Sequence, residues 1–413
     1  MKPRSGAMVA GALVGVLAGI VCAAALQHQP APAFWQVRAE FFLFAVMLAG
    51  VAVLHESALE MALAGLLATA ALRQICDPAF PLAKHLWHEG PLLLNLLGLL
   101  LGFAVLARHF ARSRVPELLP RWLPDDWKGG FVLLAGVFAL SAMLDNIAAA
   151  LIGGTIAQQV FRGRVHIGFL AAIVAASNAG GTGSVLGDTT TTMLWIGGVA
   201  WTAVLPAYFA AVPAFLLFGI AAAIQQQRLQ PIQRDPDLVA QLAWRHLAAV
   251  VLALAGAAFA NAWFGFPAAG VWLMLLIVAN FAPLDRRVLP ATLRGSFFLL
   301  ALVTCASLMP VDALPPPSAG NAFGLGLVSA VFDNIPLTKL ALDQGGWDWA
   351  YVAYAVGFGG SLLWFGSSAG VALAGLFPDA RNAGRWLWHG WPVVLAYPAG
   401  FAALHFLAGW TPH

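Results

Sequence analysis

The chain has 413 residues, of which 61% are hydrophobic and only 9% are charged, and its formal net charge is +3. A typical soluble domain carries about 25% charged residues, and apolar runs of membrane-spanning length recur throughout this chain. The composition excludes an ordinary soluble globular protein and predicts an all-α polytopic membrane protein. The three cysteines (Cys22, Cys76 and Cys305) lack the spacing of a zinc site or a disulfide framework. We therefore expect no cofactor.

Apolar runs between polar breaks predict the membrane segments in chain order. The first run, at 7–26 within an N-terminal region 1–35, has the flanking charge of a signal peptide, but its length and the spans that follow favour a retained transmembrane helix. The other segments are predicted at 36–54, 58–75, 91–107, 130–160, 167–200, 203–222, 246–262, 268–283, 295–309, 320–342, 350–377 and 390–408.

Two of these segments are predicted to be re-entrant hairpins rather than crossings. Segment 130–160 is too long for one crossing of about 20 residues, and Asp145 and Asn146 mark its middle. Segment 320–342 lies between PVDALPPPS and DQGGWDW, which contain no Lys or Arg, so we expect it to enter from the opposite face.

About eleven crossings then remain, and the positive charges fall mainly on one side of the membrane. That side holds all but four of the 21 Lys and Arg residues, the exceptions being Arg38, Arg73, Lys84 and Lys339. Because Lys and Arg accumulate in cytoplasmic loops, we predict a multi-pass protein of the cell inner membrane. Its N-terminus would be cytoplasmic and its C-terminus periplasmic or extracellular.

Two halves of the chain, 36–222 and 246–408, share a pair of motifs in the same order. SAMLDNI at 141–147 matches SAVFDNI at 329–335, and GGTGSVLGDTT at 180–190 matches GGSLLWFGSSA at 359–369. The second motif of each half lies in a glycine-interrupted segment, 167–200 or 350–377. Inverted repeats with interrupted hydrophobic segments at matching positions are typical of secondary transporters, whose site lies near the midplane.

Asp145 and Asp333, in the first pair of motifs, are the strongest candidates for functional residues of the site. A carboxylate at the bilayer centre costs at least ~2.5–3.5 kcal/mol, so it is rarely present without a partner or a task. The alternative is that each aspartate only caps the helix that follows it. The neighbouring Asn146 and Asn334 each offer a carbonyl oxygen for a cation such as Na⁺ and an amide that can orient the aspartate.

The glycine-interrupted segments are predicted to differ between the halves. Asp188 adds a carboxylate to the first and is followed by Thr189 to Thr192, which either line the site or hydrogen-bond their own backbone. The second segment has Ser367 in place of Asp188, and Gly357 in place of Asn178, so we expect an asymmetric site.

Other charged residues lie outside these motifs. Lys339 is interpreted as a counter-ion of the site or, more simply, as a lysine that extends to the outer surface. Four residues near span ends, Glu56, Glu60, His88 and Glu89, are interpreted as interfacial.

Together the two motif pairs, with SNAGGTGSVLGDTTTTMLWIGG, resemble the arsenite permease/NhaD-type sodium–proton antiporter branch of the ion transporter superfamily, which is citrate-transporter-like. The nearest resemblance is to NhaD-type antiporters, whose corresponding segment carries GD, threonines and MLWIGG. The resemblance implies a homodimer in which a transport domain moves against a scaffold as an elevator. It implies ion and substrate ligands at Ser141, Asp145, Asn146, Asn178, Asp188, Thr190, Thr191, Ser329, Asp333, Asn334, Ser367 and Ser368.

Cation/proton antiport, most simply of Na⁺ against H⁺, is the leading functional hypothesis. Three carboxylates in one low-dielectric cavity cannot all stay ionised without a cation, and the Na⁺ candidates are Asp145, Asn146, Asp188, Asp333 and Asn334. The alternative is an ion-coupled carrier of an organic or inorganic anion, either citrate- or dicarboxylate-like or arsenite-like. Dicarboxylate carriers typically have Ser-Asn-Thr where this chain has Asp-Asn-Ile. We predict no enzyme and no nucleic-acid partner; the partners expected are a small ion or solute, membrane lipid and a second copy.

Overall fold

The computed structural model describes residues 38–53, 57–233 and 241–412. The helix predicted within 1–35 and the interfacial role of Glu56 lie outside these residues. All regular elements in the described ranges are helices.

The described residues of the first half of the chain form ten α-helices. They are α1 (Ala39–Val53), α2 (Ala58–Cys76), α3 (Leu82–Arg112), α4 (Val115–Trp122), α5 (Trp127–Ser141), α6 (Asn146–Val160), α7 (Ile167–Gly181), α8 (Thr189–Ile196), α9 (Trp201–Val204) and α10 (Tyr208–Leu229).

Nine α-helices follow in the part of the second half that the structure describes. They are α11 (Trp244–Phe264), α12 (Pro267–Val278), α13 (Leu289–Ser307), α14 (Ala319–Ser329), α15 (Asn334–Gln344), α16 (Trp349–Gly359), α17 (Ser368–Leu376), α18 (Ala383–His389) and α19 (Trp391–Ala408).

Several helices are long and apolar enough to cross a membrane. Among the described residues, six stretches qualify by length and composition: Ala58–Ile75, Leu82–Arg112, Trp201–Leu229, Trp244–Phe264, Arg286–Ser307 and Trp391–Ala408. Large apolar side chains on α11 and α12, such as Phe259, Trp263 and Leu276, point outward, as side chains in contact with lipid do. The chain is a multi-pass membrane protein.

Each half contains a helical hairpin followed by a broken helix. Helices α5 and α6 are joined by a short turn that ends at Asp145, and α14 and α15 by a turn that ends at Asp333. The broken helix of the first half is α7 and α8 with 182–188 between them, and that of the second half is α16 and α17 with 360–367 between them.

Helices α7 and α16 form the centre of the packing. Every residue of both helices is buried, because a helix that is apolar on all sides is stable only where other helices surround it. Helix α7 packs against α5 and α6, and α16 packs against α14. The four half-helices that begin at the motifs, α6, α8, α15 and α17, each contact α7 or α16 and are therefore held around one buried pair.

A second group of helices flanks this centre. Helix α3 packs against α11, α12 and α13, and α13 also packs against α2. Helix α13 in turn packs against α15, the returning arm of the second hairpin. The second hairpin therefore lies at the boundary between the two groups.

The structure corrects two predicted boundaries around α3. The span predicted at 91–107 is wrong in extent, since α3 runs from Leu82 to Arg112 and continues through Pro91. The segment 108–122, which lies between the predicted membrane segments 91–107 and 130–160, contains α4, which begins with Val115 followed by Pro116. Proline is well tolerated in the first turn of a helix, where its missing N–H would have no helical partner.

Candidate functional site

Four helix N-termini meet at the predicted site residues. The N-cap positions of α6, α8, α15 and α17 are occupied by Asp145, Asp188, Asp333 and Ser367. The first N–H groups of a helix lack helical partners and carry a partial positive charge. Three carboxylates and a hydroxyl therefore stand at four helix ends that favour negative groups.

In the first half, Asn146 bridges two other predicted residues. Its side-chain Nδ2 donates to Asn178 Oδ1 at 3.0 Å and to Asp188 Oδ1 at 2.7 Å. These bonds join the hairpin tip to both arms of the first broken helix. All three side chains are buried, so the network is shielded from water.

In the second half, Asn334 reaches the same carboxylate. Its Nδ2 donates to Thr190 Oγ1 at 2.8 Å and lies 3.4 Å from Asp188 Oδ1. The matching asparagines of the two hairpins, Asn146 and Asn334, therefore converge on Asp188. The predicted asymmetry of the site follows from this geometry, because Ser367 in the second half has a hydroxyl and no charge.

Asn178 links the two broken helices to each other. Its Nδ2 donates to Ser361 Oγ at 2.9 Å and to Ser367 Oγ at 3.2 Å. Ser361 was missed as a site residue in the sequence, although a hydroxyl residue follows the glycine pair in both halves. Its role here is to hold the Asn178 amide, whose Oδ1 faces Asn146.

Two buried oxygens at the centre of this network have no hydrogen-bond partner, namely Asp188 Oδ2 and Asn146 Oδ1. Asp188 is 1% exposed and Asn146 2% exposed. An unsatisfied buried polar atom costs about 1–3 kcal/mol, and more when it is charged. The carboxylate oxygen of Asp188 can receive a cation or a proton, whereas the amide oxygen of Asn146 can only coordinate a cation.

Gly357 provides the space beside Asp188. A Cβ atom added at Gly357 would lie 3.0 Å from Asp188 Oδ2 and 3.1 Å from the methyl group of Thr182. The residue that matches Asn178 in the repeat is thus a glycine that faces the unpaired carboxylate oxygen.

Asp333 and Asp145 are half-buried and line adjacent cavities. Asp333 caps α15 by accepting from Ile335 N at 3.1 Å and also accepts from Ser368 Oγ at 3.0 Å, so its capping role is confirmed. It lines a cavity of 280 Å³. Asp145 lines a cavity of 660 Å³, and Ser368 lies in the wall of both.

Three of the predicted hydroxyl ligands donate to backbone carbonyls. Ser141 Oγ donates to Ser177 O, and Ser329 Oγ donates to Val356 O at 2.7 Å. Each bond joins the first arm of a hairpin to the helix behind it. Thr191 Oγ1 donates to Ser184 O at 2.6 Å, which is the local backbone bonding considered for this threonine run. The oxygen lone pairs of these hydroxyls are still available as acceptors.

A buried ion-pair cluster corrects the interpretation of Lys339 and Glu89. Lys339 is 2% exposed and its Nζ lies 2.9 Å from Glu89 Oε2 and 2.6 Å from Asp343 Oδ1. The expectation that Lys339 extends to the outer surface is wrong, and so is the interfacial position of Glu89, which is also buried. Glu60 forms an exposed ion pair with Arg294 at 2.8 Å.

Within the residues that the structure describes, no group of three or more His, Cys, Asp or Glu side chains is placed to hold a metal ion.

Broken helices and hairpin tips that meet around a buried carboxylate, in a multi-pass membrane protein, define the class of a secondary transporter. No family model matches the chain. The chain is similar to "Sodium/proton antiporter 1" of Arabidopsis thaliana, at 26% identity over an alignment of 420 positions, gaps included, which covers 88% of this chain and 71% of that protein.

The chain is also similar to bacterial proteins that are named as sodium/proton antiporters. The chain is 27% identical to "Na(+)/H(+) antiporter NhaD" of Vibrio parahaemolyticus, over 60% of this chain and 72% of that protein. It is also 27% identical to the protein of the same name from Alkalimonas amylolytica, over 60% of this chain and 62% of that protein. These similarities confirm the resemblance to NhaD-type antiporters.

Proposed function

We propose that this protein is a sodium/proton antiporter in which Asp188 is the central cation and proton acceptor. The observation that carries the proposal is the pair of buried, unpartnered oxygens, Asp188 Oδ2 and Asn146 Oδ1. The names of the relatives support the same activity.

Competition at Asp188 would couple the two ions. A Na⁺ ion beside Oδ2 would neutralise the carboxylate and take up the unpaired oxygen of Asn146. A proton on the same carboxylate would neutralise it equally well and leave no charge for Na⁺ to bind. Because a buried carboxylate is costly in its ionised form without either partner, the site would exchange one ion for the other.

Asp145 and Asp333 extend the site toward the cavities. Asp145 lies where the 660 Å³ cavity meets the start of α6, and this cavity reaches Arg108 near the end of α3. A further cavity of 370 Å³ shares Arg108 and Ala148 with it and extends to Gln159 at the far end of α6. We infer that a cation enters from the Arg108 side and meets Asp145 before Asp188.

The larger assembly follows from the resemblance. The two hairpins would be re-entrant, the two halves inverted, and the four half-helices would move together as an elevator against α3, α11, α12 and α13 of a homodimer. The Arg108 side would be cytoplasmic, in a cell inner membrane with the N-terminus inside. The dense basic charge around Arg108, Arg112 and Arg114 supports this orientation.

The alternative, an ion-coupled anion carrier, is not favoured by the names of the relatives. Citrate or arsenite uptake in proteoliposomes would distinguish it directly from antiport.

The test is flux in proteoliposomes under an imposed pH gradient, with Na⁺, Li⁺ and K⁺ in turn. We expect Na⁺-dependent proton movement in the parent protein and its loss in Asp145→Asn, Asp188→Asn and Asp333→Asn. The matched control is Asp379→Asn, since Asp379 is an exposed acid in the turn Pro378–Ala380. Parental exchange in the three site variants would overturn the proposal.

A further inference from the structure

Lys339 joins the second hairpin to the flanking helix α3. Its Nζ lies 3.0 Å from Glu89 Oε1 and 2.9 Å from Oε2 on α3, so one ammonium spans the whole carboxylate. The side chains are 3% and 11% exposed. Removing one partner of a charge pair in so little water leaves an uncompensated buried charge.

The same helix carries part of the ion site. Asn334 is the first residue of α15 and Lys339 lies five positions later, about 7.5 Å along the axis. At its start α15 contacts Asp188 and Thr190 through Asn334, and in its middle it contacts α3 through Lys339. A shift of α15 away from α3 would therefore also shift Asn334 relative to Asp188.

The pair and the open cavity lie at opposite ends of α3. Glu89 and Arg108 are 19 positions apart on one continuous helix, which corresponds to about 28 Å. The 660 Å³ cavity that starts at Asp145 reaches Arg108. The hairpin is thus joined to α3 at Glu89, far along this helix from the cavity that connects Asp145 with Arg108.

We propose that Lys339 is a positioning residue of the transport cycle, which holds α15 against Glu89 of α3 while the cavity at the Arg108 end is open. The pair must break before the site can open to the opposite face. The inference rests on the proposed transport function, but its test does not require flux.

Two carboxylates contact Lys339, and they provide a matched pair of variants. Glu89 is on α3, so Glu89→Gln removes the charge pair between the two helices while Lys339 keeps its partner Asp343. Asp343 is on α15 itself, at 2.6 Å from Nζ, so Asp343→Asn removes a charge pair within one helix and leaves the connection to α3 intact.

Gly295 on α13 offers a reporter position in the open cavity. A Cβ atom added there meets nothing within 4 Å, and Gly295 lines the 660 Å³ cavity. Gly295→Cys is introduced with the three native cysteines replaced by serine. The rate of labelling by a membrane-impermeant maleimide is then measured from each face, in inside-out and right-side-out vesicles.

We expect labelling of the parent reporter from the Arg108 face. Glu89→Gln should slow labelling of the reporter by about fivefold or more, since coupling between distant sites is typically at least of this size. In Asp343→Asn the reporter should be labelled at the parental rate. Glu89→Asp, which keeps the charge but shortens the side chain by one methylene, should change the rate in the same direction and covers the case in which Glu89→Gln fails to fold.

Parental labelling in the variants of Glu89 that fold would overturn the inference, and so would equal slowing in Asp343→Asn. A failure of the proposed function would be recognised by a different measurement. In that case the parent protein shows no Na⁺-dependent proton flux, whatever the labelling rates are.

Discussion

Asn146 donates through Nδ2 to Asp188 Oδ1 at 2.7 Å, across 42 residues of sequence. The bond connects the tip of the first hairpin to the start of α8. Asn334 approaches the same Oδ1 from the other hairpin, at 3.4 Å. One carboxylate oxygen of Asp188 is thus contacted by both hairpins, while the other oxygen stays unpaired. An ion that binds Asp188 would therefore alter the hydrogen bonds of both hairpin tips.

Removal of either amide should therefore impair exchange. Asn146→Ala deletes a bond to a charged acceptor, and such bonds contribute about 1.5–3 kcal/mol, which corresponds to a loss of about tenfold or more in exchange rate. Asn334→Ala should have an effect in the same direction. The measurement is Na⁺-dependent proton flux in proteoliposomes.

The control for these amide variants is Asn321→Ala. Asn321 donates to Pro316 O at 2.7 Å near the start of α14, outside the site. An equal loss of flux in Asn321→Ala would show that disturbance of the hairpins, rather than of Asp188, causes the effect.

Much of the architecture could be predicted from local sequence. The turn before Asn146 was predictable because thirty apolar residues with a charge in the middle fit two half-helices better than one crossing. The breaks at 182–188 and 360–367 were predictable from glycines and hydroxyl residues, which favour backbone outside a regular helix.

The remaining features depend on contacts between residues distant in sequence. Lys339 and Glu89 are 250 positions apart, and nothing in the residues around Lys339 indicates which helix packs beside it. The bond from Asn178 to Ser361 likewise connects the two halves, at a separation of 183. The extent of α3 was missed because Lys84, His85 and Glu89 lower the hydropathy of its first turns, although a buried partner compensates Glu89.

Replacing Ser329 should mainly lower stability, whereas replacing Ser368 should mainly weaken Na⁺ binding. Ser329 Oγ donates to the buried carbonyl of Val356, so Ser329→Ala should lower the free energy of unfolding by about 1–3 kcal/mol and leave the KM for Na⁺ unchanged. Ser368 Oγ donates to Asp333 Oδ2, so Ser368→Ala should raise the KM with a smaller loss of stability.

Thermal unfolding in detergent and Na⁺ titrations of exchange separate the two effects. A raised KM in Ser329→Ala would indicate that this hydroxyl is itself an ion ligand, as the resemblance implies for Ser329 and Ser141.

His166 should make stability depend on pH at the loop before α7. Burial, and next the neighbouring His389, lower the pKa of His166 below its ordinary value of 6.5. As pH falls below 6.5, the unfolded chain takes up a proton that the folded chain resists, so the free energy of unfolding falls until the lowered folded pKa is passed. Above 6.5 this contribution is constant.

The variant that isolates this effect is His166→Asn. The His166 ring accepts from Gly168 N at 3.1 Å, and an asparagine oxygen can replace that N-cap acceptor without titrating. We expect the fall in unfolding temperature below pH 6.5 to be smaller in His166→Asn than in the parent. His88→Asn, at an exposed position, serves as the control, and identical pH profiles for all three proteins would contradict the assignment.

Gly357→Ala should weaken Na⁺ binding without removing any polar group. The added methyl group would lie 3.0 Å from Asp188 Oδ2, closer than ordinary van der Waals contact, and would take the space beside the unpaired oxygen. We expect the KM for Na⁺ to rise by about tenfold, a cost of about 1.4 kcal/mol, and the KM for the smaller Li⁺ to rise less.

Gly136→Ala is the matched control, because a Cβ atom there meets nothing within 4 Å and alanine within α5 should stabilise the helix by about 0.5–1 kcal/mol. If both variants retain the parental KM, the space beside Gly357 is not where the cation binds.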